Sequence, residues 1–409
     1  GGIYMLKLDS KTGLRDYTET YQTVANTSDA YQGIKIAGGQ HVSGEASYIE
    51  KIGDYWYLFM SNGGLTATGG YNMRIFRSSD IKGPYVDYSG DDARYTSAVN
   101  NINGTVGNRP MSGYQWSYMS VGQVAQGHNS AFLDSDGRSY LVYHTRFNDG
   151  TEGHQVRVHQ MFLNEEGWLV TAPFEYTGET LTNQVTAEDV TGMYEVLFHK
   201  LNINYGSLEV VKGENITFNT DGTITGDRTG TWAFSQKGKP YVTLKIGNTT
   251  YKGVFVKQQM EESTDTTWTF TVLGDDEISV WGYKYVGDGT ELAEKAAANL
   301  SMPEGTFINL TLPSKGINAS TITWKSSNEA VLASDGTVTE PDTDTEVTLT
   351  GTFTVNGASV NRDYKIMVYS PQTDTENKIL KKYFTGQEVD LTSAVKGTYQ
   401  YANPFYDGT

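Results

Sequence analysis

The sequence predicts an all-β protein, and its composition and turn residues support that fold class. Among the 409 residues are 45 Gly, 28 Tyr and 7 Trp, whereas only 19% of the residues are charged. Such a composition favours short strands and turns over helices. Helix formers follow one another at residues 291–298, which predicts a helix there. We expect strands in most of the remaining chain.

The length and the charge of the chain limit the kinds of protein that it can be. A chain of this length usually forms about two to four domains. It contains no stretch of about 18 consecutive apolar residues, which excludes a membrane-spanning helix. The formal net charge of −17 would repel nucleic-acid phosphates and anionic lipid headgroups. We therefore expect neither nucleic acid nor a membrane as a partner.

The absence of Cys and the two chain ends add further limits. Without Cys there is no disulfide framework, no thiol nucleophile and no thiolate metal site. The chain begins without an initiator Met or a signal peptide, and it ends within a pattern typical of a strand and a turn. We therefore expect a fragment of a longer protein.

Composition divides the chain into four segments. Residues 1–179 are rich in aromatic side chains and hold five of the six His. Residues 181–285 alternate Thr-rich strands with Gly-containing turns, and residues 286–370 open with the predicted helix and continue as strands. Residues 371–409 begin with a polar stretch that is typical of a linker, and we expect the start of another domain after it.

An internal repeat in the first segment predicts blades of a β-propeller. Residues 45–77 and residues 128–160 share a pattern of three strands, with an offset of 83 residues (128 − 45). A closing segment follows each copy, at residues 85–87 and 168–171, which completes the four strands of a blade. The alternative is a chance match between two ordinary hairpin meanders.

Glu45 opens the first copy and is the candidate acid. Because the first strand of every blade lines the central channel, we expect Glu45 and His128 to point toward the same axis. Glu45 lies between Gly44 and Ala46 and directly precedes an aromatic strand. A carboxyl at the mouth of an apolar channel holds its proton more firmly, which suits a general acid. The alternative is a solvated Glu at the end of a strand.

His128 opens the second copy and is the candidate metal ligand. It follows Gly127, which would let the backbone approach a ligand closely, and a neutral imidazole can bind a metal. The alternative is a structural His, and no Cys or paired His supports zinc. A hydrated Ca²⁺ fits a single His, since water can supply most of its ligands. We interpret His144, His154 and His159 as packing or surface residues.

Two further patterns bear on the ligand class. The Gly-rich stretches at residues 62–65 and 69–72 do not open a helix, so they predict no nucleotide site. Trp and Tyr faces stack on sugar rings, so their abundance indicates an uncharged polymeric carbohydrate, although most of them serve core packing.

Several motifs resemble glycoside hydrolase family 43, in particular its extracellular endo-1,5-α-L-arabinanases. They occur in order at residues 1–9, 44–49, 61–65, 70–74, 127–130, 143–147 and 157–161. The resemblance implies part of a five-bladed propeller and an inverting hydrolysis of α-1,5-L-arabinofuranosidic bonds in arabinan, a plant cell-wall polysaccharide. It also implies that Glu45 is the general acid and that His128 holds a hydrated Ca²⁺ near the bond to be cut.

The same resemblance places two further catalytic groups outside the chain. In the family, the base Asp and the Asp that tunes the acid precede the segment that resembles Gly1 and its neighbours. Inversion needs a second carboxylate at about 6.5–9.5 Å from the acid. We therefore expect residues 1–409 alone to be inactive and the intact protein to be a secreted or cell-surface hydrolase. The alternatives are an exo-acting arabinofuranosidase or β-xylosidase of the same family and a non-catalytic glycan-binding protein of the cell surface.

The remaining segments resemble accessory domains. Residues 181–285 are similar to the small β-barrel that follows the propeller in these arabinanases, through Gly192, Trp232 and Trp281 with their neighbours. Residues 286–370 are similar to bacterial immunoglobulin-like β-sandwich modules. Residues 379–384 resemble the start of a laminin-G or concanavalin-like domain. The expected order is therefore a partial propeller, a barrel, an immunoglobulin-like domain and a truncated further domain.

Overall fold

The structure is a computed structural model, which describes residues 1–42, 44–97, 105–236 and 238–370. Strands dominate it, so the all-β prediction is confirmed. The chain forms two compact units, Gly1–Val286 and Gly287–Thr409. The predicted linker and further domain at residues 371–409 lie outside the described residues. None of the helices in the described parts is long and apolar enough to cross a membrane.

The first unit contains three sheets and a barrel. A small antiparallel sheet with the order β1-β3-β2 opens it. Its strands are β1 (Ile3–Met5), β2 (Ser28–Asp29) and β3 (Gly33–Ala37). The next sheet consists of β4 (Glu45–Ile52), β5 (Tyr55–Asn62) and β6 (Asn72–Ser78). The third contains β7 (Tyr114–Gln115), β8 (Gln123–Leu133), β9 (Ser139–Phe147), β10 (His154–Leu163) and β11 (Leu169–Thr171).

The repeat in the sequence corresponds to a repeat in the structure. Strands β4, β5 and β6 form one antiparallel meander, and β8, β9, β10 and β11 form the other. The predicted fourth strand of the first copy is reduced to a single bridge between Arg77 and Val86. The first strands of the two meanders lie side by side, because Nδ2 of Asn129 donates a hydrogen bond of 3.1 Å to the carbonyl of Ala46. This neighbouring position of the first strands is typical of propeller blades.

An antiparallel barrel of eight strands follows a short helix, α1 (Ala187–Val190). The barrel consists of β12 (Gly192–Phe198), β14 (Glu214–Phe218), β15 (Thr223–Gly226), β16 (Gly230–Phe234), β17 (Tyr241–Ile246), β18 (Thr249–Gln259), β19 (Thr266–Gly274) and β20 (Ser279–Lys284). Aromatic side chains such as Phe218, Trp232 and Phe255 fill its interior. Closure of the sheet leaves no exposed edge.

The barrel is fixed to the second meander by buried polar and aromatic contacts. Strand β13 (Val211–Lys212) pairs with β7 in parallel. The carboxylate of Glu195 accepts hydrogen bonds from Ser117, at 2.7 and 2.6 Å, and from Tyr283, at 2.7 Å. The buried ring of His159 stacks on Trp281 at 5.8 Å between centroids. His159 is therefore a packing residue, as interpreted from the sequence.

In residues 287–370, the second unit has one helix and a four-stranded sheet with the order β21-β24-β23-β22. The helix α2 (Gly289–Asn299) confirms the predicted run of helix formers, and a capping box formed by Asp288 and Glu291 starts it. The strands are β21 (Gly305–Thr306), β22 (Thr321–Ser326), β23 (Thr345–Val355) and β24 (Ala358–Val368). Buried residues alternate with more exposed ones along β23, which places one face of this strand against the core.

Candidate active site

Glu45 and His128 lie next to each other on equivalent strands. Glu45 begins β4, whereas β8 begins at Gln123, so His128 does not open its strand as the sequence predicted. Nδ1 of His128 is 3.6 Å from Oε1 of Glu45. The side chain of Glu45 is 47% exposed and that of His128 is 61% exposed. The two side chains are therefore adjacent, and both are exposed.

Bulges in β4 and β8 direct these two side chains. The register with the next strand shifts between Glu45 and Tyr48 in β4, and between Gly127 and Ser130 in β8. Ala46 and His128 have positive φ angles of 49° and 51°, a conformation that is uncommon for residues other than Gly. A β-bulge changes the direction in which side chains point, and bulges are frequent near active sites.

Asn129 holds the two bulged strands together. Its Oδ1 accepts a hydrogen bond of 2.7 Å from Oγ of Ser61, and its backbone N–H donates to the same Oγ at 3.3 Å. With the bond from its Nδ2 to Ala46 already described, Asn129 connects β8 to both β4 and β5. Asn129 is buried and follows His128 directly, so it fixes the backbone that carries the imidazole.

Tyr71 joins Glu45 to His128, and the sequence analysis did not single it out. Its hydroxyl donates a hydrogen bond to Oε1 of Glu45 and lies 3.2 Å from Nδ1 of His128. Burial, together with the hydrogen bond to Glu45, raises the pKa of Tyr71 well above its usual value. Tyr71 is thus a neutral phenol. A signal was present, since Tyr71 precedes the third strand of its meander at the sheet end where Glu45 lies.

Gly127 has a different role from the predicted one. The sequence suggested that Gly127 lets the backbone approach a ligand. In the structure the ring of Tyr71 occupies that space, because a β-carbon on residue 127 would lie 2.2 Å from Cε1 of Tyr71. The absence of a side chain at Gly127 makes room for a protein group.

His144 packs beside the site, in agreement with its interpretation as a packing or surface residue. Its ring stacks on Tyr71 with centroids 5.5 Å apart and an interplanar angle of 18°, and it lies 6.5 Å from the ring of His128. His154 follows at 5.4 Å from His144. Burial, and then the charge of Arg146, lower the pKa of His144. Its buried Nδ1 has no hydrogen-bond partner within the described residues.

The residues present offer little to a metal ion by themselves. Within the described ranges, no group of three or more His, Asp or Glu could hold a metal. The side chain of His128 is exposed. The donor set therefore fits only an ion that keeps water as most of its ligands.

The Gly-rich loop between β5 and β6 is a tight turn beside this site. The backbone N–H of Gly64 donates to the carbonyl of Gly69 at 2.7 Å. Glu152 accepts a hydrogen bond of 2.9 Å from the backbone N–H of Ala67, and it pairs with Arg146 at 3.2 Å. The stretch joins two strands and opens no helix.

Comparison with family models finds matches to three parts of the chain. Residues 1–169 match the model of glycosyl hydrolases family 43. Residues 173–282 match the C-terminal lipocalin-like domain found with that family, and residues 294–371 match an atrophied bacterial Ig domain.

Comparison with individual proteins gives two endo-arabinanases among the relatives of the chain. The chain is 38% identical over 297 residues to an extracellular endo-α-(1→5)-L-arabinanase of Thermotoga petrophila, covering 69% of this chain and 59% of the relative. It is 38% identical over 296 residues to the extracellular endo-α-(1→5)-L-arabinanase 2 of Bacillus subtilis, covering 69% and 60%. A crystal structure of the T. petrophila endo-1,5-α-L-arabinanase with TRIS matches with a TM-score of 0.61 and 37% identity, covering 69% and 61%. The chain thus spans about 60% of the length of the curated relatives it matches.

Proposed function

We propose, on the premise that this chain belongs through residues 1–169 to glycoside hydrolase family 43, that the intact protein is an extracellular inverting hydrolase of arabinan. The observation that carries the proposal is the carboxyl of Glu45, which is accessible at a strand start and is held by Tyr71 beside His128. The two curated relatives are extracellular endo-arabinanases, which supports the substrate and the location.

Glu45 donates a proton to the glycosidic oxygen as the leaving sugar departs. An exposed carboxyl at a bulged strand start can reach that oxygen, and general acid catalysis of this kind contributes about 10²–10⁴-fold to the rate. Inversion also needs a carboxylate at about 6.5–9.5 Å that activates water. The resemblance to the family places that base, and the Asp that tunes the acid, upstream of the segment that resembles Gly1.

The two meanders are consecutive blades of a five-bladed propeller in this proposal. Their strand order and the contact between their first strands support it. The axis of the propeller then passes next to Glu45 and His128, which places the acid where a polymer chain crosses the molecule.

A hydrated Ca²⁺ completes the proposed site. His128 would hold it through one imidazole nitrogen, and water would supply the other ligands. When bound, the ion supplies positive charge that stabilises negative charge developing nearby. The exposed position of His128 supports this assignment.

The test compares two variants of the intact protein on linear arabinan. Glu45→Gln should lower the rate of release of reducing ends by about 10²–10⁴-fold, because the amide has no proton to donate. Glu50→Gln is the matched control on the same strand and should keep full activity. A Glu45→Gln variant with unchanged activity would contradict the proposal.

The products and the isolated chain separate the alternatives. Oligosaccharides of mixed length are expected from endo-acting cleavage, whereas release of monosaccharide alone would indicate an exo-acting enzyme. Binding of arabinan by the intact protein without any cleavage would indicate a glycan-binding protein. Residues 1–409 alone are expected to release no reducing ends, and activity of this polypeptide would overturn that expectation.

A further inference from the structure

We propose that Tyr71 is a positioning residue that decides which nitrogen of His128 and which oxygen of Glu45 carry a proton. The catalytic meaning of this inference rests on the proposed function. Its physical basis rests on the hydrogen bonds of Tyr71 alone.

A count of protons gives the tautomer of His128. A phenol has one proton to donate, and Tyr71 donates it to Oε1 of Glu45. The oxygen of Tyr71 can then only accept a hydrogen bond at its 3.2 Å contact with Nδ1 of His128. Nδ1 therefore carries the proton, and the neutral ring keeps its lone pair on Nε2.

The surroundings of Tyr71 hold its hydroxyl in this position. The residue is 1% exposed, and its ring lies between the backbone of Gly127 and the stacked ring of His144. The hydroxyl of Tyr71 thus donates a hydrogen bond to Glu45 on β4 and accepts one from His128 on β8.

The consequence for Glu45 concerns its two oxygens. In this arrangement Oε1 accepts the hydrogen bond from Tyr71, so the proton that can be transferred resides on Oε2. The consequence for His128 concerns its free nitrogen. A His that binds a metal usually donates its other N–H to a neighbouring group, and Tyr71 receives that bond here. Nε2 of the exposed His128 ring is left for a ligand.

One other arrangement satisfies the same distances. A proton on Oε1 of Glu45 would be donated to Tyr71, and Tyr71 would donate to Nδ1 of His128. The proton of His128 would then be on Nε2, which could bind no metal. The two arrangements differ in the tautomer of His128, which can be measured without any substrate or metal.

The test is long-range ¹H–¹⁵N NMR of residues 1–409 labelled with ¹⁵N-histidine, above neutral pH. His128 is assigned by the loss of its signals in His128→Gln. We expect the Nδ1–H tautomer in the wild type, and a shift toward the Nε2–H tautomer in Tyr71→Phe. Tyr48→Phe makes the same chemical change on the strand of Glu45 and should match the wild type. The Nε2–H tautomer in the wild type, or an unchanged tautomer in Tyr71→Phe, would overturn the inference.

Kinetics of the intact protein give a second readout. Tyr71→Phe keeps the ring that fills the space beside Gly127, and we expect kcat to fall about 10–100-fold, a loss typical of removing a group that orients a ligand. KM should change little, because the hydroxyl is buried together with the rest of Tyr71. If arabinan is not a substrate, the proposed function fails and the tautomer result stands. If the wild type has the Nε2–H tautomer of His128, this inference fails and the result for Glu45→Gln stands. If Tyr71→Phe does not fold, the wild-type tautomer still decides.

Discussion

The ring of Tyr71 lies against the backbone of Gly127 so closely that a β-carbon at residue 127 would be 2.2 Å from Cε1 and 2.3 Å from Cδ1 of Tyr71. Side chains do not approach each other to such distances. Gly127 is therefore the residue that allows one hydroxyl to reach both Glu45 and His128.

Replacement of Gly127 by Ala should displace Tyr71 and destabilise the fold. We expect the free energy of unfolding of residues 1–409 to fall by about 1–3 kcal/mol, because the added methyl group overpacks a filled space. Urea denaturation measures this change. Gly153→Ala is the control, since its new β-carbon would meet only Oγ1 of Thr151, at 3.3 Å, and should cost less than about 0.5 kcal/mol. Equal losses in the two variants would contradict the explanation.

Buried His159 should make the fold less stable in acid. Its Nδ1 is 2.8 Å from the carbonyl of Ala172, and burial lowers the pKa of His159 from 6.5 to about 4. Between pH 6.5 and pH 4, His159 binds a proton in the unfolded chain but not in the folded chain. The unfolding free energy therefore falls as the pH decreases from 6.5 toward 4. The contribution lost is at most about 3 kcal/mol.

The variant His159→Gln isolates this contribution. Above pH 6.5 it should be less stable than the wild type, because it loses packing against Trp281. The difference between the two proteins should shrink as the pH falls toward 4. A difference that stays constant over this range would show that His159 does not govern the acid sensitivity.

Glu261 should act with the opposite sign. Its carboxylate accepts hydrogen bonds from the backbone N–H of Glu175, at 3.1 Å, and from Gln123, at 3.4 Å. Burial raises the pKa of Glu261 from 4.5 to about 7. Because the folded chain binds this proton more tightly than the unfolded chain, the unfolding free energy falls as the pH rises from 4.5 to 7.

Glu261→Gln keeps the shape of the side chain and removes its titration. Relative to the wild type, the variant should gain stability between pH 4.5 and pH 7, by at most about 3 kcal/mol and by less where solvent reaches the carboxyl. Urea denaturation at the two ends of this range measures the gain. A relative loss of stability on raising the pH would be the wrong sign and would refute the assignment.

Phe353 should control the stability of the second unit. It lies on the buried face of β23 and is fully buried, and its replacement by Ala should cost about 3–5 kcal/mol. Thr352→Ala on the opposite face removes one hydrogen bond, of 2.8 Å, to Asn361, and should cost about 1 kcal/mol. Thermal unfolding should show the larger shift in the transition of the second unit. Equal shifts for both variants would contradict the alternation along β23.

The repeat and the helix show what can be predicted locally. Alternation along strands, turn residues at their ends and runs of helix formers all depend on neighbours in the sequence. They predicted the equivalent strands that contain Glu45 and His128, and the helix α2, although β8 begins at Gln123 and not at His128. The same signals predicted a full fourth strand in the first copy, where the structure has one bridge, between Arg77 and Val86. The pairing of an edge segment depends on neighbours that the local pattern does not contain.

The amino-acid sequence by itself determined the all-β class, the repeat, and the equivalent strands that carry Glu45 and His128. Only the tertiary structure decided that Tyr71 joins them, that His144 stacks beside them and that Gly127 makes room for a ring. Tyr71 is 26 residues from Glu45 and 57 residues from His128 along the chain. No periodic pattern relates residues at such separations. Their contact arises because folding places the first and third strands of one meander against the first strand of the next.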